Sequence, residues 1–182
     1  MSLGLGVGAA VVLERVRVLG QPLLEGILLL PLVIPEVMLG VALLLFFVMI
    51  DWPLGLGTVI IGHCVFNLPL VIMVIRARLH RIDPVWEAAA RDLGATPWQA
   101  FVHVTFPLLR PAILGAGLMA FTLSLDDFVV TFFTTGPGAT TLPLQVFSMM
   151  RTGITPEINA LSAILVSVSM LLIGVSLACQ RK

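Results

Sequence analysis

The chain has 182 residues, 59 % of them hydrophobic and 11 % charged, with ten basic and ten acidic side chains and a mean hydropathy of +1.11. Soluble domains carry about 25 % charged residues, so this composition excludes a soluble globular domain and specifies an integral membrane protein. Zero net charge is silent about partners; the placement of the charges is what informs. Cys64 and Cys179 lie in apolar segments without disulfide or metal-site spacing. No glycine-rich Lys-Ser/Thr nucleotide loop occurs, and no cofactor or metal is expected.

In chain order, residues 3–13 are apolar but far short of the roughly 20 residues that span a bilayer. Glu14, Arg15 and Arg17 follow them. No basic region precedes this run and no cleavage-type site follows, so it is read as the tail of a span and not as a signal peptide. Residues 23–50 form the first full span, interrupted by Pro31 and Pro35, each of which removes a helical hydrogen bond. Glu36 follows, an acid that in lipid must face a cavity or a partner. Asp51-Trp52-Pro53 makes an interfacial turn. Residues 56–75 are the second span, carrying His63, Asn67 and Pro69 and closed by Arg76, Arg78, His80 and Arg81. His63 and Asn67 are expected to make interhelical hydrogen bonds. The third span is 108–133. The loop 139–157 has a candidate interfacial amphipathic helix at 142–150, and 158–179 is the last span, with a small-residue face for close packing.

Between the second and third spans lies the one long polar island, 83–107. Asp83 is a natural N-cap with Pro84 in the first turn, and the Ala-rich run 86–93 favours helix. Gly94 supplies the left-handed turn that ends it. Thr96 and Pro97 start a second helix expected to end near 106, with Pro107 and Pro111 marking entry to the next span. Helix, glycine turn, helix is also the outline of a DNA-binding motif. The second helix holds no basic residue except His103, so no nucleic-acid partner is expected.

The island resembles the EAA loop of permease subunits of binding-protein-dependent ABC importers, in which Glu-Ala-Ala, three residues, Gly, nine residues and Ile-x-Leu-Pro recur. Ala89, Ala90, Gly94, Val104 and Pro107 fall in register. The motif Glu is replaced by Ala88, and Glu87 stands one residue earlier, about 100° around the helix. The resemblance implies an ATPase-coupling role for Glu87, Ala89, Ala90, Gly94 and Pro107. It also implies the type I importer transmembrane fold, all-α and polytopic, with a cytoplasmic helical hairpin. Family members carry at least one more span before this point, so the chain is expected to be N-terminally truncated, with 1–14 a remnant and 23–182 the transmembrane domain.

With the hairpin in the cytoplasm and the spans alternating, Arg15, Arg17, Arg76, Arg78, Arg81, Arg91, Arg110, Arg181 and Lys182 all lie inside. Only Arg151 lies outside, as the positive-inside rule requires. The C-terminus is then cytoplasmic, in a bacterial inner membrane.

The sharpest feature elsewhere is Thr122-Leu-Ser-Leu-Asp-Asp127, about 27 Å along the third span at 1.5 Å per residue. Asp126 and Asp127 point about 100° apart, so one faces a pathway better than the other. Thr122 shares a helical face with Asp126, and Ser124 flanks the pair. The segments from Phe121 onward and around Pro35-Glu36 are similar to the second membrane subunit of spermidine/putrescine permeases. That similarity implies Asp126, Asp127, Thr122, Ser124 and Glu36 as substrate-pathway residues, carboxylates suiting the ammonium groups of a polyamine. It further implies as partners a second permease subunit, two ATPase subunits that bind the ATP, an extracytoplasmic solute-binding protein and membrane lipid. The chain itself would not be an enzyme. Other readings keep the importer and change the cargo to an amino acid derivative or ferric ion, or make the chain a truncated, non-transporting paralogue.

Overall fold

A computed structural model of the chain describes residues 1–16, 20–152 and 156–180, and the described residues hold helices joined by turns without strands. Arg17, Arg181 and Lys182 of the orientation argument lie outside the described residues. The elements are α1 Ser2–Arg15, α2 Gln21–Val33, α3 Glu36–Met49, α4 Leu56–Leu79, α5 Val85–Asp92, α6 Pro97–Ala100, a π-helical turn Phe101–Thr105, α7 Phe106–Asp126, α8 Val129–Thr134, α9 Leu142–Thr152 and α10 Pro156–Gln180. Among the described residues three helices are long and apolar enough to cross a membrane, Leu56–Leu79, Pro97–Asp126 and Ile158–Ala178, and α2 with α3 make a fourth if the bent pair is one span.

The core sits where α1, α4 and α7 meet. Ala10 and Leu13 of α1 pack with Val71, Ile72 and Ile75 of α4 and with Leu109, Ala112, Ala116 and Ala120 of α7. Small residues let the backbones approach closely, as in lipid they must, because dispersion and not water exclusion holds helices together there. Gly6 shows how close: a Cβ on it would lie 2.5 Å from Val71 Cγ1. α10 lies along α7, where Ser176 Oγ donates to the Gly115 carbonyl at 2.8 Å.

Three departures from the sequence reading matter. The expected first span, 23–50, is two helices, α2 and α3, whose axes differ by 110°. Ile34 is extended at φ −73°, ψ 132°, the conformation a following proline favours, so Pro35 makes the break, while Pro31 is absorbed inside α2. The expected third span, 108–133, stops at Asp126. Asp127 is extended at φ −66°, ψ 122°, and α8 folds back onto α3 and α4. Last, the second hairpin helix does not end near 106. Pro97–Asp126 is one 30-residue helix, with Pro107 in the first turn of α7 and Pro111 inside it. The π turn reconciles this with proline chemistry. The Phe106 N–H reaches back to the Phe101 carbonyl, which widens the ladder just before the residue that has no N–H to give.

The hairpin follows its sequence signals closely. Asp83 Oδ1 accepts from the Val85 N–H at 2.9 Å. Gly94 turns the chain at φ +93°, a backbone value that other residues adopt only with strain. Thr96 and Gln99 form a reciprocal capping box: Thr96 N–H donates to Gln99 Oε1 at 2.8 Å, and Gln99 N–H to Thr96 Oγ1 at 3.3 Å. Stretch 142–150 is helical, within α9.

Candidate functional site

Both helix breaks open onto one cavity. Glu36, the first residue after the α2–α3 break, and Asp126 and Asp127, at the end of α7, line a cavity of about 210 Å³ together with Phe66, Leu123, Phe128 and Val129. Broken helices at membrane depth are tolerated where the freed backbone is buried in protein or lines such a cavity. Ser169, midway along α10, donates to Asp126 Oδ1 at 2.8 Å, so the acids lie level with the middle of that span and not near its end.

The two adjacent aspartates do different things. Asp127 is 8 % exposed and fully engaged. Its Oδ2 accepts from the Thr131 N–H at 2.8 Å and the Thr131 hydroxyl at 2.7 Å, and its Oδ1 from the Val130 N–H at 3.3 Å. It is the cap of α8. His63 Nε2 lies 3.2 Å from the same carboxylate and 2.8 Å from Thr131 Oγ1, while His63 Nδ1 meets the Ser124 hydroxyl. These bonds fit together when Nε2 carries the proton and Nδ1 accepts from Ser124. The far end of α8 is held too: Thr58 Oγ1 donates to the Thr134 carbonyl at 2.6 Å. A six-residue helix is therefore clamped to α4 at both ends, and Asp127 is the larger clamp. Asp126, by contrast, is exposed, with the Ser169 hydroxyl on one oxygen, and Glu36 is exposed as well.

Of the five pathway candidates, the structure brings Glu36, Asp126 and Asp127 together. It does not bring the other two. Thr122 is 2 % exposed and donates its hydroxyl to the Leu118 carbonyl at 2.9 Å, one turn back on its own helix. Ser124 faces His63. Phe66 and Phe128, the cavity's aromatic walls, escaped the sequence reading because single phenylalanines in apolar spans carry no distinguishing pattern. Ser169 was counted only as a packing residue, and nothing in its spacing sets it apart from Ser162, Ser167 or Ser176.

The hairpin is the second polar region. Glu87 points inward: its carboxylate pairs with the Arg15 guanidinium and accepts from the Thr105 hydroxyl, and Arg15 lies over the Phe101 ring at 4.9 Å. The outward face carries Ala89, with Ala90 half-buried beside it, and exposed large apolar groups, Trp86 at 64 %, Leu93 at 91 % and Trp98 at 71 %. Trp86, Ala89 and, at the C-cap, Leu93 recur at helical spacing as one exposed apolar stripe, with Glu87, Arg91 and Asp92 the polar residues of the helix. Gly94 and Pro107 shape the hairpin's turn and its junction with α7.

Residues 2–181 match the family described as binding-protein-dependent transport system inner membrane component. The putrescine transport system permease protein PotI of Escherichia coli strain K12 is 47 % identical over 168 residues, 88 % of this chain and 60 % of that protein. The spermidine/putrescine transport system permease protein PotC of the same strain is 36 % identical over 172 residues, 94 % of this chain and 65 % of that protein. A PotC homolog of Mycoplasma genitalium is 31 % identical over 186 residues, all of this chain and 64 % of that protein. The chain thus spans about 60 to 65 % of the length of these curated relatives. A family match over nearly the whole sequence, on a chain whose described residues hold three to four helices or helix pairs long and apolar enough to cross a membrane, places the chain among the inner membrane components of binding-protein-dependent transport systems.

Proposed function

We propose that this chain is the membrane-spanning permease subunit of an ATP-driven polyamine importer, passing putrescine or spermidine from an external binding protein to the cytoplasm by alternating access. The observation that carries the cargo is the cavity at the two helix breaks. It holds three carboxylates, no Lys or Arg among the described lining residues, and phenylalanine walls. An aliphatic polycation needs anionic oxygens for its ammonium groups and apolar or aromatic surface for its methylenes and cationic ends. Asp126 and Glu36 are the cargo-facing acids, and Asp127 holds the α8 wall in place. The names of the Escherichia coli relatives agree with this cargo.

The partners in this reading are a second permease subunit, two ATPase subunits and the solute-binding protein. The hairpin and C-terminus are cytoplasmic. Supporting that orientation, Arg15, Arg76, Arg78, Arg81, Arg91 and Arg110 sit at or near the hairpin end, whereas Arg151 lies in the last turn of α9 at the other. The stripe of Trp86, Ala89 and Leu93, with Trp98 beyond Gly94, is the face offered to an ATPase subunit, since exposed apolar patches rimmed by polar residues mark interaction sites. Ala90 and Gly94 set that face, Glu87 braces it from behind and Pro107 joins it to the span.

The test is uptake of labelled putrescine by the assembled transporter with Asp126→Asn. One charge-assisted contact is worth about 1.5 to 3 kcal/mol, so the half-saturating concentration rises roughly ten- to a hundredfold. Wild-type uptake from a normally assembled variant would remove the polyamine assignment.

A further inference from the structure

Four of the arginines at the hairpin end, Arg15, Arg76, Arg78 and Arg81, fall into two groups. Arg15 pairs with Glu87, and Arg76 lies 3.0 Å from a Glu25 carboxylate oxygen and 3.6 Å from one of Glu14. Arg78 and Arg81 have no acidic partner among the described residues. Arg78 donates only its Nε–H, to the Leu108 carbonyl at 3.2 Å. That bond anchors the side chain across to α7 and leaves the charged end of the guanidinium without a counter-ion.

Both arginines stand at the mouth of a groove of about 320 Å³ between α4 and α7. Leu70, Met73, Ala77 and Ala112 form its walls, and none of these offers a side-chain donor or more than the weak acceptor of the Met73 sulfur. Along α4 the lining groups are apolar for two turns, with Leu70, Met73 and Ala77 on one helical stripe, then cationic at Arg78, and Arg81 follows in the turn after the helix. From Leu70 to Arg78 the groove runs about 12 Å along the helix at 1.5 Å per residue. Met73 and Ala77 are exposed, so the groove opens sideways toward lipid.

We infer that this groove is a binding site for one anionic phospholipid, its phosphate held by Arg78 and Arg81 and an acyl chain laid along Leu70, Met73 and Ala77. A free phosphate would use the two guanidinium groups and leave the apolar walls idle. A zwitterionic phospholipid would fill the walls and bring its own cation against the arginines. Only a lipid with net negative charge satisfies both halves, and basic pockets between membrane helices recognise anionic headgroups in this way. The inference rests on membrane placement and not on the cargo reading, so the two stand or fall separately.

The experiment is lipid retention by the complete detergent-purified transporter, titrated with phosphatidylglycerol, phosphatidylcholine or glycerol phosphate and read by native mass spectrometry. The wild type is expected to retain phosphatidylglycerol over phosphatidylcholine. Arg78→Gln with Arg81→Gln lowers that preference roughly thirtyfold, the sum of two interfacial arginine contributions. Ala77→Phe, which obstructs the groove and keeps both charges, also lowers retention. Equal retention of the two lipids by the wild type, an unchanged preference in the double variant, displacement by glycerol phosphate at matched concentration, or full retention by Ala77→Phe would each overturn the site. Should the double variant fail to assemble, Ala77→Phe and the two-lipid comparison on the wild type still decide it.

Discussion

The cavity and the hairpin end are both built around carboxylates, and they treat them oppositely. At the hairpin end Glu14, Glu25 and Glu87 each pair with an arginine, Arg76 serving the first two, so these acids are balanced within the chain. In the cavity no arginine or lysine lies among the described lining residues; His63 and the Thr131 donors serve Asp127, and Asp126 has the Ser169 hydroxyl. Isolated charges at membrane depth are expensive and persist at functional positions. On the cargo reading proposed above, the partners an acid holds, more than acidity itself, separate the clamping Asp127 from the cargo-facing Asp126 and Glu36.

The largest break in this comparison should come from its most engaged acid. Asp127→Ala leaves His63 and the first turn of α8 without their acceptor. Removing one partner of a buried pair costs about 3 to 5 kcal/mol. Expected is a sharp loss of thermal stability in the purified complex, whereas Asp126→Ala melts close to wild type; equal melting of the two variants would mean that Asp127 is no clamp. Next comes Glu36→Gln, which by the charge-assisted scale of about 1.5 to 3 kcal/mol should weaken putrescine uptake about ten- to a hundredfold. Asp83→Asn, an acid of the hairpin, should leave the half-saturating concentration unchanged. If Glu36→Gln is silent, the cavity acids do not act together.

The hairpin predictions are smaller. Gly94 has open space around a built Cβ but φ +93°, so Gly94→Ala strains the backbone without a clash, at about 1 kcal/mol, and Gly94→Val costs more. Cargo-stimulated ATP hydrolysis should fall in that order while membrane insertion stays normal; wild-type stimulation in Gly94→Val would separate the turn from coupling. Smallest is the Arg15–Glu87 pair, partly exposed at 33 % and 25 % of the side chains. A double-mutant cycle with Arg15→Gln and Glu87→Gln should give a coupling energy of about 0.2 to 1 kcal/mol. A value several times larger would place Glu87 among the buried, functional acids instead.

The hairpin's start and turn were legible in the sequence because their signals are local: Asp83, Gly94 and Thr96 act on neighbours within four residues, and each is found doing what its type predicts, while Gln99, which completes the capping box, went unread. The helix breaks were only half legible. Pro31 and Pro35 look alike in sequence, yet only Pro35 ends a helix. Asp127 reads as a pathway acid within one continuous span, and its choice of capping α8 depends on His63, Thr131 and Thr58 arriving from 64, 4 and 69 residues away. The meeting of Glu36 with Asp126 is likewise a product of tertiary topology, and hydrophobic periodicity contains nothing of it.

One feature couples the two regions mechanically. The helix from Pro97 to Asp126 is 30 residues long and unbroken, about 45 Å at 1.5 Å per residue. A lever of that length carries Trp98 near one tip and Asp126 at the other. Pivoting it by about 5° at the hairpin sweeps Asp126 through about 4 Å, more than the length of a hydrogen bond. Such a swing would carry the carboxylate away from Ser169, and on the function proposed above it would turn a small rotation at an ATPase-facing surface into the making or losing of an ammonium contact.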